Sequence, residues 1–211
     1  LPDEATDEAV ATAIDYWLIT GLAWAWCLRN PEFAAFGLGR RLAPPDWSAI
    51  RAFLKLGLPI ALTFIADVTA FTFMALFIAR LGPLVSAAHQ IAANLSVFAF
   101  MLPLSLGNAA AILAGQALGA GEPGRARRAC WQAVRLGLGF AVALSLAFWF
   151  AANPIAAAYT TDLRVRELAA PLIVLVGFYH LADALQGVAV NALCGYKRTA
   201  VPMLIYTTCL W

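Results

Sequence analysis

The sequence predicts an all-α, polytopic membrane protein with about six transmembrane helices. Three observations carry that expectation. The chain of 211 residues is 63% hydrophobic and only 12% charged, against about 25% charge in a typical soluble domain. Its charges leave long stretches empty. Residues 81–121 and 136–161 hold no Asp, Glu, Lys or Arg, while 56–79 holds only Asp67 and 168–196 only Asp183. These stretches are apolar on every side, without the period-2 alternation of a barrel strand, and about 20 such residues cross a bilayer.

Taken in order, the first span is expected at about Ala9–Leu28, behind an acidic start of Asp3, Glu4, Asp7 and Glu8. The second is expected at Gly57–Ala79, the third at Leu84–Ala117, the fourth at Gln132–Ala152 and the fifth at Leu168–Cys194. A sixth begins near Ala200 and is cut off at Trp211. Between the first two, Asn30-Pro31, Gly39-Arg40-Arg41 and Pro44-Pro45 mark a loop, and 45–55 reads as a short amphipathic surface helix. Gly119, Gly121, Pro123 and Gly124 mark another loop. Pro103 and Pro171 fall inside spans, where neighbouring helices tolerate and kink them. Gly, Ala and Ser are abundant in the third and fourth spans, which predicts close helix packing.

Basic residues set the orientation. Eleven of the fourteen Lys and Arg fall in alternate connections, 29–55, 118–135 and 195–199, which places those loops in the cytoplasm. Cys27, Cys130, Cys194 and Cys209 have no metal-ligand or CxxC spacing and read as small apolar residues. Trp17, Trp24 and Trp26 read as packing or interface anchors. Asp15, six residues into the first span, reads as a solvated acid near the outer interface, and His89 as structural. No signal peptide is visible, and a chain running from Leu1 to a terminus inside an apolar run is expected to be a fragment.

The two lone acids are the chemistry. Asp67 lies ten residues past Gly57 and Asp183 twelve before Gly195. At 1.5 Å per residue both fall roughly 15–18 Å from the cytoplasmic face, near mid-membrane. A charge there costs at least about 2.5–3.5 kcal/mol, so such a residue faces a cavity or a partner. Neither span supplies a basic partner. A buried carboxyl can exchange H⁺, or can bind Na⁺ together with neutral oxygens. The alternative is a neutral, hydrogen-bonded structural acid. Tyr179 lies one turn before Asp183, His180 three residues before it and Gln186 three after. Phe71, one turn after Asp67, offers a ring to an organic cation. His180 reads first as a helix-packing histidine and second as a proton relay. No P-loop, G-x-S-x-G or H-E-x-x-H points to an enzyme, a cofactor or nucleic acid. The contexts Ile65-Ala66-Asp67 and Leu181-Ala182-Asp183 do not match intramembrane aspartyl proteases.

Several runs together carry a resemblance. They are Gly57-Leu58-Pro59-Ile60-Ala61-Leu62 followed by Asp67; Ala87-Ala88-His89-Gln90-Ile91-Ala92 with Asn94; and Phe100-Met101-Leu102-Pro103-Leu104-Ser105. Gly115-Gln116-Ala117-Leu118-Gly119-Ala120-Gly121 follows, then Tyr179 through Asp183 leading to Gly195-Tyr196-Lys197. In this order they resemble the multidrug and toxic compound extrusion (MATE) family, and more closely its NorM-like branch.

The resemblance implies a bundle of twelve helices in two lobes, about half of it present. Residues 1–28 would be the last helix of the N-terminal lobe and 29–55 a cytoplasmic inter-lobe linker. Residues 56–211 would be helices seven to eleven of the C-terminal lobe, with the rest of the N-terminal lobe missing. It implies an H⁺- or Na⁺-coupled antiporter in the bacterial inner membrane that exports cationic, amphipathic drugs. Asp67, Asp183 and Tyr179 would bind the coupling ion, with Phe71, His180 and Gln186 as weaker substrate contacts. Asp67 stands where NorM-like members often have Glu, and Cys194 and Arg198 where Arg and Asp are usual. The alternatives are a lipid-linked oligosaccharide flippase of the same superfamily, or a non-transporting membrane fragment.

Overall fold

The computed structural model describes residues 2–31, 33 and 44–210. Within them are six α-helices: α1 (Pro2–Arg29), α2 (Trp47–Ala79), α3 (Pro83–Gly119), α4 (Pro123–Tyr159), α5 (Leu163–Gly195) and α6 (Ala200–Leu210). Most of the basic loop read between the first two spans, including Arg40 and Arg41, lies outside the described residues. The chain divides into two units, 1–50 and 51–211.

The all-α expectation holds, with six helices in the expected places. Four helices, α2 to α5, are long and apolar enough to cross a membrane among the described residues. Helix α1 has the length, at 28 residues, but its acidic start and Asp15 dilute its apolar character. Helix α6 has only 11 residues. One correction concerns 45–55. Residues 47–55 form no separate surface helix; they are the first turns of α2, which starts ten residues before Gly57. Nothing between Trp47 and Lys55 breaks a helix, and Asp46 caps the N-terminus. Its carboxylate accepts from the backbone N–H of Ser48 at 2.8 Å and of Ala49 at 3.3 Å. The Ser48 side chain, and after it these backbone N–H groups, hold the Asp46 carboxyl below its usual pKa of 3.8.

Turn chemistry ends the other helices where glycine and proline predict. Gly82, at φ 99°, reverses the chain, and Pro83 opens α3. Gly121, at φ 76°, does the same ahead of Pro123 and α4. Helix α4 is kinked, with Ala151 at φ −114° and ψ 19°. Pro154 has no N–H to offer the Phe150 carbonyl, the usual cause of such a break. The Asp162 carboxylate accepts from the Arg164 N–H at 2.9 Å and caps α5.

Helices α3, α4 and α5 pack against one another as a three-helix core. One cluster joins Ala88, Leu95 and Ala99 of α3, Phe148 and Ala156 of α4, and Ala169 and Ile173 of α5. Glycines bring α5 very close to its neighbours. A methyl on Gly195 would meet the Ala111 carbonyl oxygen at 2.7 Å, and one on Gly177 the Trp149 indole at 2.6 Å. Between apolar helices in lipid, association rests on such dispersion contact, not on expelled water, so small residues at the seam are what hold the core. The outward faces are apolar, with Phe150 at 85% and Phe178 at 59% exposure. Among the described residues, the backbones of α2 and α6 do not run closely along this core.

Candidate functional site

Helix α2 places Asp67 just after the buried Ala66, and the acid is half-buried. Its threonines satisfy themselves along the helix: Thr69 donates to the Ile65 carbonyl at 2.7 Å and Thr72 to the Val68 carbonyl at 2.7 Å. The carboxylate of Asp67 is satisfied from elsewhere. The Tyr206 hydroxyl of α6 donates to Asp67 Oδ1 at 2.6 Å, across 139 residues of sequence. That is a short, direct hydroxyl–carboxyl hydrogen bond.

Helix α5 holds Asp183, also half-buried, between the fully buried His180 and Ala184. Among the described residues Asp183 has no hydrogen bond and no cationic partner. It lies within the electrostatic field of Asp67, and Tyr206 feels both acids. The structure therefore brings together one carboxylate from α2, one from α5 and a phenol from α6.

The other predicted residues divide. Tyr179 stands one turn before Asp183, 42% exposed, beside the Ser96 hydroxyl of α3 and within the field of Asp183. Phe71 is exposed on α2, one turn beyond Asp67. Gln186 is half-buried one turn along α5. His180 points elsewhere. It is 1% exposed and lines a cavity of about 200 Å³ with Ala99, Leu102, Pro103, Phe140, Ala143 and Leu144. His89 is half-buried and Asp15 exposed. The four cysteines are free.

Sequence reasoning missed Tyr206. One signal was available: a phenol inside an apolar helix needs a partner for its hydroxyl, and the sixth run contains a single tyrosine. What it could not supply was the partner's identity.

The two carboxylates share one electrostatic neighbourhood, and among the described residues no salt bridge neutralises either of them. Their ligands are hard oxygens, which suit a proton or an alkali cation better than a transition metal. Among the described residues no group of three His, Cys, Asp or Glu could hold a metal ion.

The two acids thus lie within two helices that are long and apolar enough to cross a membrane. The chain belongs to the MatE family, whose model matches residues 59–210. It is 39% identical over 206 residues to the probable multidrug resistance protein NorM of Chromobacterium violaceum, covering 95% of this chain and 43% of that protein. It is 36% identical over 206 residues to the probable multidrug resistance protein NorM of Aromatoleum aromaticum, covering 96% and 44%. To the multidrug resistance protein MdtK of Edwardsiella ictaluri it is 33% identical over 202 residues, covering 96% and 44%. The chain thus spans less than half the length of the curated relatives it matches.

Proposed function

We propose that this chain is part of a cation-coupled antiporter that exports cationic, amphipathic drugs across the bacterial inner membrane. The observation that carries the reading is the pairing of Asp67 with Asp183 from separate spans, without a basic partner. Two neighbouring carboxylates repel each other until a cation neutralises them. An H⁺ or Na⁺ arriving from one side does so, and a drug cation arriving from the other does so too. Because both ligands stabilise the same charge, occupancy by one weakens the other, which is the thermodynamic requirement for exchange. Tyr179 supplies a neutral oxygen to the ion, and the exposed face of Phe71 lies against an organic cation. The names of the relatives support a drug substrate, and the absence of Lys and Arg from the mid-spans argues against an anionic lipid.

In this reading the chain carries the end of an N-terminal lobe, an inter-lobe linker and most of a C-terminal lobe. The transporter is the longer protein, and it has no catalytic residues. The test is uptake of a cationic dye by the full-length protein in everted vesicles, driven separately by a pH gradient and a Na⁺ gradient. Asp67→Asn and Asp183→Asn should abolish uptake at normal expression. Wild-type uptake in both variants overturns the assignment.

A further inference from the structure

Three features are not used by the proposed exchange: the apolar cavity under His180, the buried Ser145 hydroxyl and Trp149 indole without partners, and the Tyr206–Asp67 bond. The first two show no ligand. The third has consequences. Among the described residues it is the one side-chain hydrogen bond between α2 and α6, and neither backbone packs closely along another helix. The Tyr206–Asp67 bond is therefore the polar tie between α6 and Asp67 among the described residues.

We propose that Tyr206 is a positioning residue, a latch that ties α6 to α2 while the cation site is empty and that occupancy by the coupling ion loosens. The proposal rests on the paired-acid site described above. The titratable groups around the latch are Asp67 on α2, Asp183 and Tyr179 on α5, and Tyr206 itself on α6. A phenol donates most strongly to an ionised carboxylate oxygen. A proton or Na⁺ on Asp67 draws charge off that oxygen and weakens the bond. Linkage is reciprocal: whatever the ion costs the latch, the latch costs the ion. The latch thus holds ion affinity down, which favours release, and it transmits occupancy to α6 as freedom to move.

The test is Tyr206→Phe in the full-length protein, which removes the hydroxyl and keeps the ring. Initial rates of dye uptake are measured against Na⁺ at fixed pH, and against the pH gradient without Na⁺. For whichever ion drives the wild type, the half-saturating concentration should fall about tenfold, the scale of one hydrogen bond to a charged group. The maximal rate should not rise. An unchanged or raised half-saturating concentration overturns the latch.

A second measurement covers a Phe variant that fails to fold. Spin labels at Met74 and Thr208, in a background free of other cysteines, report the α2–α6 distance in the otherwise wild-type protein. Adding the coupling ion should lengthen or broaden it, and an unaltered distribution overturns the proposal. The two readings fail separately. If Asp67→Asn and Asp183→Asn abolish uptake but the Tyr206 tests fail, only the latch is lost. If both acid variants transport normally, the site itself is lost.

Discussion

Gly195→Ala should destabilise the three-helix core by about 1–3 kcal/mol, the usual cost of forcing one extra group into a packed interior. The added methyl would sit 2.7 Å from the Ala111 carbonyl oxygen, 2.9 Å from its Cα and 3.2 Å from its carbonyl carbon. Ordinary contact begins near 3.4 Å, so the α5 C-terminus and α3 must separate by several tenths of an ångström. The obstructing atoms are backbone and cannot rotate away. Gly187→Ala meets a different obstacle, the tip of the Phe100 ring at 2.7 Å, and a ring can turn, so its cost should be smaller. Gly139→Ala meets nothing within 4 Å and should be neutral, or stabilising by up to about 1 kcal/mol from helix propensity. The assay is the melting midpoint of the three full-length variants and the wild type, purified side by side. The order from least to most stable should be Gly195→Ala, Gly187→Ala, Gly139→Ala. A Gly195→Ala protein melting with the wild type would refute the close α3–α5 approach.

The remaining predictions are smaller in reach. Asp67→Glu and Asp183→Glu keep the charge that Asn removes, so each should retain ion-driven uptake with a changed half-saturating concentration. Loss equal to the Asn variants would mean geometry matters more than charge at that position. Asp46→Ala should fray the first turn of α2, read as faster amide exchange over 47–50. Because the Asp46 carboxyl is held below 3.8 in the folded chain, its capping contribution is complete above that pH and is lost as pH falls through the lower folded value. Unchanged exchange at pH 7 in Asp46→Ala would refute the cap. Pro154→Ala restores an N–H beneath the Phe150 carbonyl and should straighten α4 at Ala151. Spin labels at the two ends of α4 should then report a longer distance, and an unaltered distance would assign the kink to packing.

Much of the fold is legible in the amino-acid sequence, for identifiable reasons. A helix in hydrocarbon satisfies its backbone within itself, so apolar length locates a span without knowledge of its neighbours. Gly82, Pro83, Gly121 and Pro123 act through their own φ and their own missing N–H, and their turns lie where local chemistry puts them. Residues 47–55 are harder, because an amphipathic start and an apolar continuation look like two elements. Whether they are one helix depends on an unbroken hydrogen-bond ladder past Lys55.

The acids divide along the same line. Asp67 and Asp183 stand out because a lone carboxylate in an apolar run is costly wherever the helix ends up, so the sequence alone determined that two such groups exist and that no basic residue shares their spans. That they face the same place, that His180 turns away into an apolar cavity, and that Tyr206 closes on Asp67 from 139 residues away were decided only by the tertiary structure. A tyrosine in an apolar helix presents the same sequence whether its hydroxyl meets lipid, backbone or an acid. The rotation and approach of two helices assign it a partner, and no residue's own preference sets those.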